Sequence, residues 1–207
     1  MKKLLVTLFL AFSIMLMAGE KVKLSSVVSG DVWMKGFSAV VKTSGNIPMM
    51  PVMEPYTIYT DGDGNSRTDM KDAITLYVTE GKKQMVYNFT KATKTYTVMS
   101  LSDMPGGEEQ KPDFDEEELV EKVGSATFAG VKCDKYKVLA QEDEMEGESF
   151  MYIDPAKKVF AGMEMKMGEY TMKMEYTDIK FGVDKSMFKP LAGYKKVDGS
   201  PFGGFGR

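Results

Sequence analysis

Met163-Glu164-Met165-Lys166-Met167-Gly168-Glu169-Tyr170-Thr171-Met172-Lys173-Met174 alternates between apolar and polar residues on both sides of a glycine. A period of two is the signature of a half-buried strand, so the stretch reads as two strands and a turn. Gly168-Glu169 fits the central pair of a type II′ turn, which takes glycine first. That turn fixes the register. Met167 then faces Tyr170, Met165 faces Met172 and Met163 faces Met174, while Glu164 faces Lys173 on the opposite side. Turn chemistry and charge pairing therefore agree on one hairpin with Met163, Met165, Met167, Tyr170, Met172 and Met174 on a single face.

The same β-type pattern extends in both directions. Phe37 to Thr43 alternates, and Tyr56 to Thr60 and Ile74 to Thr79 are rich in β-formers. Gln84 to Thr90 and Thr95 to Met99 continue a meander with short turns. Lys132 to Leu139 and Ser149 to Ile153 flank an acidic turn, and Val159 to Met167 leads into the hairpin. Short connections make sequential strands antiparallel neighbours. One helix is expected over 113–124: Asp113 as N-cap, Glu116 completing a capping box, acids at 115–118, an apolar edge of Leu119, Val120 and Val123, and Gly124 as the stop.

Residues 1–19 have the form of a secretory signal: Lys2 and Lys3, an apolar run from Leu4 to Met17, then Ala18-Gly19. The run is shorter than the ~20 residues of a spanning helix. Glu20 stands where a lipoprotein signal would carry cysteine, so no stable membrane anchor is expected after cleavage. Export, most simply to a periplasm, would give residues 20–197 as one β-rich domain and 198–207 as a Gly/Phe-rich flexible tail. Loss of Lys2 and Lys3 takes the net charge from −3 to −5. That acidity argues against nucleic-acid binding.

The chain has 207 residues, no histidine and one cysteine. Histidine-dependent nucleophilic catalysis, imidazole metal sites and an intrachain disulfide are therefore absent. Cys133 lies in a strand pattern and reads as an inert buried thiol. No carboxylate spacing selects a catalytic pair, Asp134 and Glu175 included, so a non-enzymatic protein without a cofactor is expected. Asp61-Gly62-Asp63-Gly64-Asn65 resembles the start of a calcium loop, with Asp69 and Asp72 at the ninth and twelfth positions. Ser66 stands at the position that requires glycine, so a solvated hairpin turn is the expectation.

Methionine is the strongest compositional signal, with 19 in the chain. The hairpin face admits three readings. It is ordinary core packing in a structural envelope protein; or a flexible, polarisable surface for a hydrophobic small molecule or lipid; or a thioether site for copper(I), since soft sulfur selects that ion. Met49-Met50-Pro51-Val52-Met53 is a second cluster that would cover or extend such a surface. Trp33 and Phe37 are core or groove residues.

Ala129-Gly130-Val131-Lys132-Cys133-Asp134-Lys135-Tyr136-Lys137-Val138 resembles a strand of an exported bacterial family of unknown function related to the LolA/LolB-like lipoprotein-localisation superfamily. Tyr176-Thr177-Asp178-Ile179-Lys180-Phe181 and Phe188-Lys189-Pro190-Leu191-Ala192-Gly193-Tyr194-Lys195-Lys196 are similar to that superfamily's closing strand and end motif. Ser66 to Met70, Met85-Val86-Tyr87 and Lys94-Thr95-Tyr96 resemble its early meander. The resemblance covers about 35–197. It implies a mainly β (α+β) fold: an antiparallel incomplete β-barrel, LolA-like, with one or a few short helices as a lid. It also implies a concave apolar face for a ligand, with lipoprotein acyl chains among the candidates.

Overall fold

The computed structural model describes residues 20–29, 35–47, 53–103, 119–139 and 147–198. Its strands are β1 (Lys21–Lys23), β2 (Phe37–Gly45), β3 (Tyr56–Thr60), β4 (Ser66–Asp69), β5 (Ala73–Glu80), β6 (Lys83–Thr90) and β7 (Thr95–Ser100). They continue with β8 (Leu119–Phe128), β9 (Val131–Val138), β10 (Glu148–Asp154), β11 (Val159–Met167), β12 (Tyr170–Phe181) and β13 (Lys195–Lys196). Among the described residues a single short helix, α1 (Leu24–Val27), follows β1, and two 3-10 turns lie at Leu101–Asp103 and Lys185–Phe188.

All strands join one sheet in the order β1-β8-β9-β10-β11-β12-β2-β3-β4-β5-β6-β7-β13. Two meanders, β2 to β7 and β8 to β12, meet where β12 pairs antiparallel with β2. Among the described strands only the β7/β13 contact is parallel. The order has two ends, so the sheet is open: mainly β, antiparallel and incomplete as a barrel, as the sequence implied. Both edge strands are short and carry lysine, which discourages further pairing.

Directly paired residues share a face, so the ladders sort the sheet into two sides. One side carries Ile74, Leu76, Tyr87 and Phe89, and the segment after β12 straps across them through Phe188, Leu191 and Tyr194. The ring of Tyr194 meets Phe89 edge-on at 5.2 Å. Further along the same side, Phe128 stacks on Tyr152 at 3.9 Å beside buried Cys133 and Phe150. On the other side, α1 covers Val120, Tyr136 and Ile153 with Val22, Leu24, Val27 and Val28.

The helix expected over 113–124 is corrected: from Leu119 onward the chain is strand β8. Residues 113–118 lie outside the described residues. Leu119, Val120 and Val123 imitate a helical edge because a β-bulge inserts Val123 between Lys122 and Gly124 in the ladder with β9. Gly124 serves the bulge with φ of +148° rather than a helix end.

Candidate ligand-binding face

The hairpin forms in the register that its turn dictates. Met167 pairs with Tyr170, Met165 with Met172, Glu164 with Lys173 and Met163 with Met174. Gly168 has φ of +60°, and Glu169 is not among the positive-φ residues, as a type II′ turn requires. The structure thus brings all six candidate side chains onto one face. Met151 of β10 pairs with Met163 and Tyr136 of β9 with Met151, so the row runs toward α1. In the other direction Met174 pairs with Thr43, and Tyr176 with Val41. The Phe160 and Tyr176 rings meet at 5.2 Å, and the Tyr176 hydroxyl donates to the Met174 sulfur at 3.4 Å.

None of the described methionines is a buried core residue; the hairpin's five and Met151 are half-buried. The core uses Phe, Tyr, Val, Ile, Leu, Ala and one Cys instead. Ala39 and Val41, each 1% exposed, form the floor between taller half-buried neighbours on the methionine side.

Charge separates the two sides completely across nine strands, from β10 through β12 and β2 to β7. Every charged residue at a paired position there falls on the side opposite the methionines: Glu148, Asp154, Glu164, Lys166, Lys173, Glu175, Lys180, Lys42, Arg67, Asp69, Glu80 and Lys83. The methionine side carries apolar residues, tyrosines and uncharged Ser, Thr, Asn and Gln. Burial pushes the Tyr56 and Tyr176 phenols up from their ordinary value, so they remain neutral. The uncharged zone ends at β9, where Lys122 and Asp134 form an ion pair at 2.6 Å.

Behind the hairpin lies its electrostatic support. Glu164 is 6% exposed, and its carboxylate stands 3.4 Å from Lys166 Nζ and 3.3 Å from Lys173 Nζ. Burial alone would raise its pKa. The two lysines outweigh that, and the carboxyl is held below its usual range. Lys135 caps the neighbouring Phe150 ring at 3.9 Å.

The remaining sequence candidates resolve into structural roles. The Asp61 carboxylate accepts the backbone N–H groups of Asp63 and Asn65 at 2.8 and 3.1 Å, closing a hairpin turn. Asp63 pairs with Lys185 and Asp69 with Arg67. Asp134 and Glu175 lie on opposite sides of the sheet and do not converge. Cys133 is fully buried, and burial pushes its thiol pKa up. Met53 is exposed and sits outside the hairpin row. Trp33, Met49 and Met50 lie outside the described residues.

The chain thus presents an open, antiparallel sheet with one uncharged side. Residues 48–149 match a family described as "Domain of unknown function (DUF4412)", in line with the resemblance drawn from the sequence. No curated protein sequence matches the chain. Among solved structures, a chain of the Pseudomonas aeruginosa MucA/MucB complex is similar at 12% identity and a TM-score of 0.49, over 84% of this chain and 63% of that one. This chain therefore spans less than two thirds of that relative's length. The Mycobacterium tuberculosis lipoprotein LppX is similar at 8% identity and a TM-score of 0.46, over 75% of this chain and 91% of that one. LprF from Mycobacterium bovis is similar at 10% identity and a TM-score of 0.45, over 78% and 93%. All three scores are below one half.

Among the described residues, no helix is long and apolar enough to cross a membrane.

Proposed function

We propose that this chain is an exported, non-enzymatic binding protein that holds a lipid, an acyl chain or another hydrophobic molecule on the methionine face. In this reading residues 1–19 are a cleaved signal, 20–197 the binding domain and 198–207 a tail. The observation that carries it is the placement of methionine. Among the described residues no methionine is fully buried, and six stand together, half-buried, on the β10 to β12 part of a side from which charge is excluded, while Met85 and Met187 pack against the core of the other side. A core would favour side chains with fewer rotamers; a surface that fits variable apolar shapes favours methionine. Capture comes from burial, about 0.8 kcal/mol for each methylene removed from water.

The test uses the full chain and Nile red, a neutral apolar dye whose fluorescence rises in a dry site. Wild type is expected to bind it. Met174→Glu sets a charge in the middle of the row and is expected to abolish binding with an unchanged circular dichroism spectrum. Ser44→Glu sets the same charge on the opposite side, facing Lys173, and is expected to retain binding. Equal binding by all three proteins would remove the methionine face from the proposal.

A further inference from the structure

The uncharged side is not uniform, and its gradient points to the class of ligand. At β10 to β12 it presents Met151, Met163, Met165, Met167, Met172 and Met174. At β4 to β7 a different row crosses the sheet: Thr68 pairs with Thr75, Thr75 with Asn88 and Asn88 with Thr97. All four are half-buried. Ile58 joins this row to Ala39, so the apolar and polar zones are continuous. From β12 to β5 is four strand spacings, about 19 Å along the sheet.

The polar row contains donors and acceptors but no charge. The Thr75 hydroxyl donates to Asn88 Oδ1 at 2.9 Å, which orients the amide and leaves its Nδ2 hydrogens for another acceptor. An ionised headgroup placed here would lose hydration and find no charged partner within the row, which is costly; the lysine of this side, Lys195, pairs with Thr95 on the exposed edge strand beyond it. A hydroxyl- or ester-bearing headgroup would exchange water for neutral hydrogen bonds at little cost.

The geometry points to an amphiphile with an uncharged, hydrogen-bonding head as the ligand: apolar chain on the methionines, neutral head on the Thr68–Thr75–Asn88–Thr97 row. This rests on the carrier reading above and narrows it. Monoacylglycerols and neutral glycolipids have this chemistry; fatty-acid anions and phospholipids with anionic heads do not.

Three probes with the same palmitoyl chain separate the possibilities: monopalmitoylglycerol, palmitate and palmitoyl-lysophosphatidylglycerol, each competing with Nile red on the full chain below micelle-forming concentrations. The neutral probe is expected to bind about tenfold tighter than either anion, the effect of one or two neutral hydrogen bonds and an avoided unpaired charge. In a folded Thr75→Val/Asn88→Leu variant the ratio is expected to fall toward one. Anions that compete as well as the neutral probe overturn the headgroup assignment while leaving the carrier reading intact. A neutral preference that survives the double substitution overturns the role of this row. Failure of Nile red and all three probes to bind overturns the carrier reading itself.

Discussion

Glu164 and Lys173 face each other across β11 and β12, 3.3 Å apart, on the reverse of the surface that carries Met163 and Met174. The hairpin is thus held on one side by an ion pair between a buried carboxylate and a solvent-exposed lysine, while its other side stays free of charge. Because the folded state lowers the Glu164 pKa, it binds fewer protons than the unfolded chain near the carboxylate's ordinary value of about 4.3. The resulting stability is present above that value and is lost as pH falls through the lower folded pKa. Glu164→Gln is expected to flatten the acid limb of a denaturant-midpoint-versus-pH curve. Glu164→Ala takes the carboxylate from two solvent-exposed lysines, which remain hydrated, and is expected to cost about 1 kcal/mol near neutral pH. An acid limb identical in wild type and Glu164→Gln would show that the pair contributes nothing.

Two glycines of the same hairpin strands should respond very differently to alanine. Gly168 has φ of +60° with open space around its Cβ position, so only backbone strain opposes the change. Gly168→Ala is expected to cost about 1 kcal/mol. Gly162 has φ of +150°, and a Cβ there would meet the Met174 carbonyl oxygen at 2.2 Å and the Phe128 ring at 2.5 Å. Gly162→Ala must displace strand β12 or the Phe128–Tyr152 stack, and is expected to cost about 3 kcal/mol or more. Urea unfolding of both variants gives the comparison, and similar midpoints would contradict the strand approach described here.

Leucine replacements at 163, 165, 172 and 174 separate apolar capture from sulfur chemistry. They conserve volume and hydrophobicity and are expected to leave Nile red affinity within about threefold of wild type. The copper(I) alternative requires the opposite: metal uptake by wild type that the four leucines abolish. Peroxide is expected to weaken Nile red binding by wild type, because a thioether sulfur that accepts oxygen becomes a polar sulfoxide. The leucine variant is expected to resist that loss. Peptide mass spectrometry locates the added oxygen.

Most of the strands were legible in the sequence, and the hairpin in full, because its period, turn residues and cross-strand charges all specify one register. The helix expected over 113–124 failed from Leu119 onward for a local reason. A bulge at Val123 breaks the period of two in β8, and the acids before it supply a convincing helix start. Strand β1 and helix α1 carry too short a pattern to register. The uncharged side could not be read at all. It depends on the pairing of β12 with β2, residues far apart in the chain, and emerges only when every ladder is known. The polar row from Thr68 to Thr97 was missed for the same reason: each member is an ordinary strand residue until its neighbours are aligned.

The most direct measurement is a native mass spectrum of the protein purified without detergent from the cells that express it, followed by solvent extraction. The expected result is a bound mass of several hundred daltons that partitions into organic solvent, is retained by Ser44→Glu and is missing from Met174→Glu. A wild-type spectrum showing only the bare polypeptide, together with no uptake of added Nile red, would contradict ligand capture by the methionine face and leave that face a structural surface.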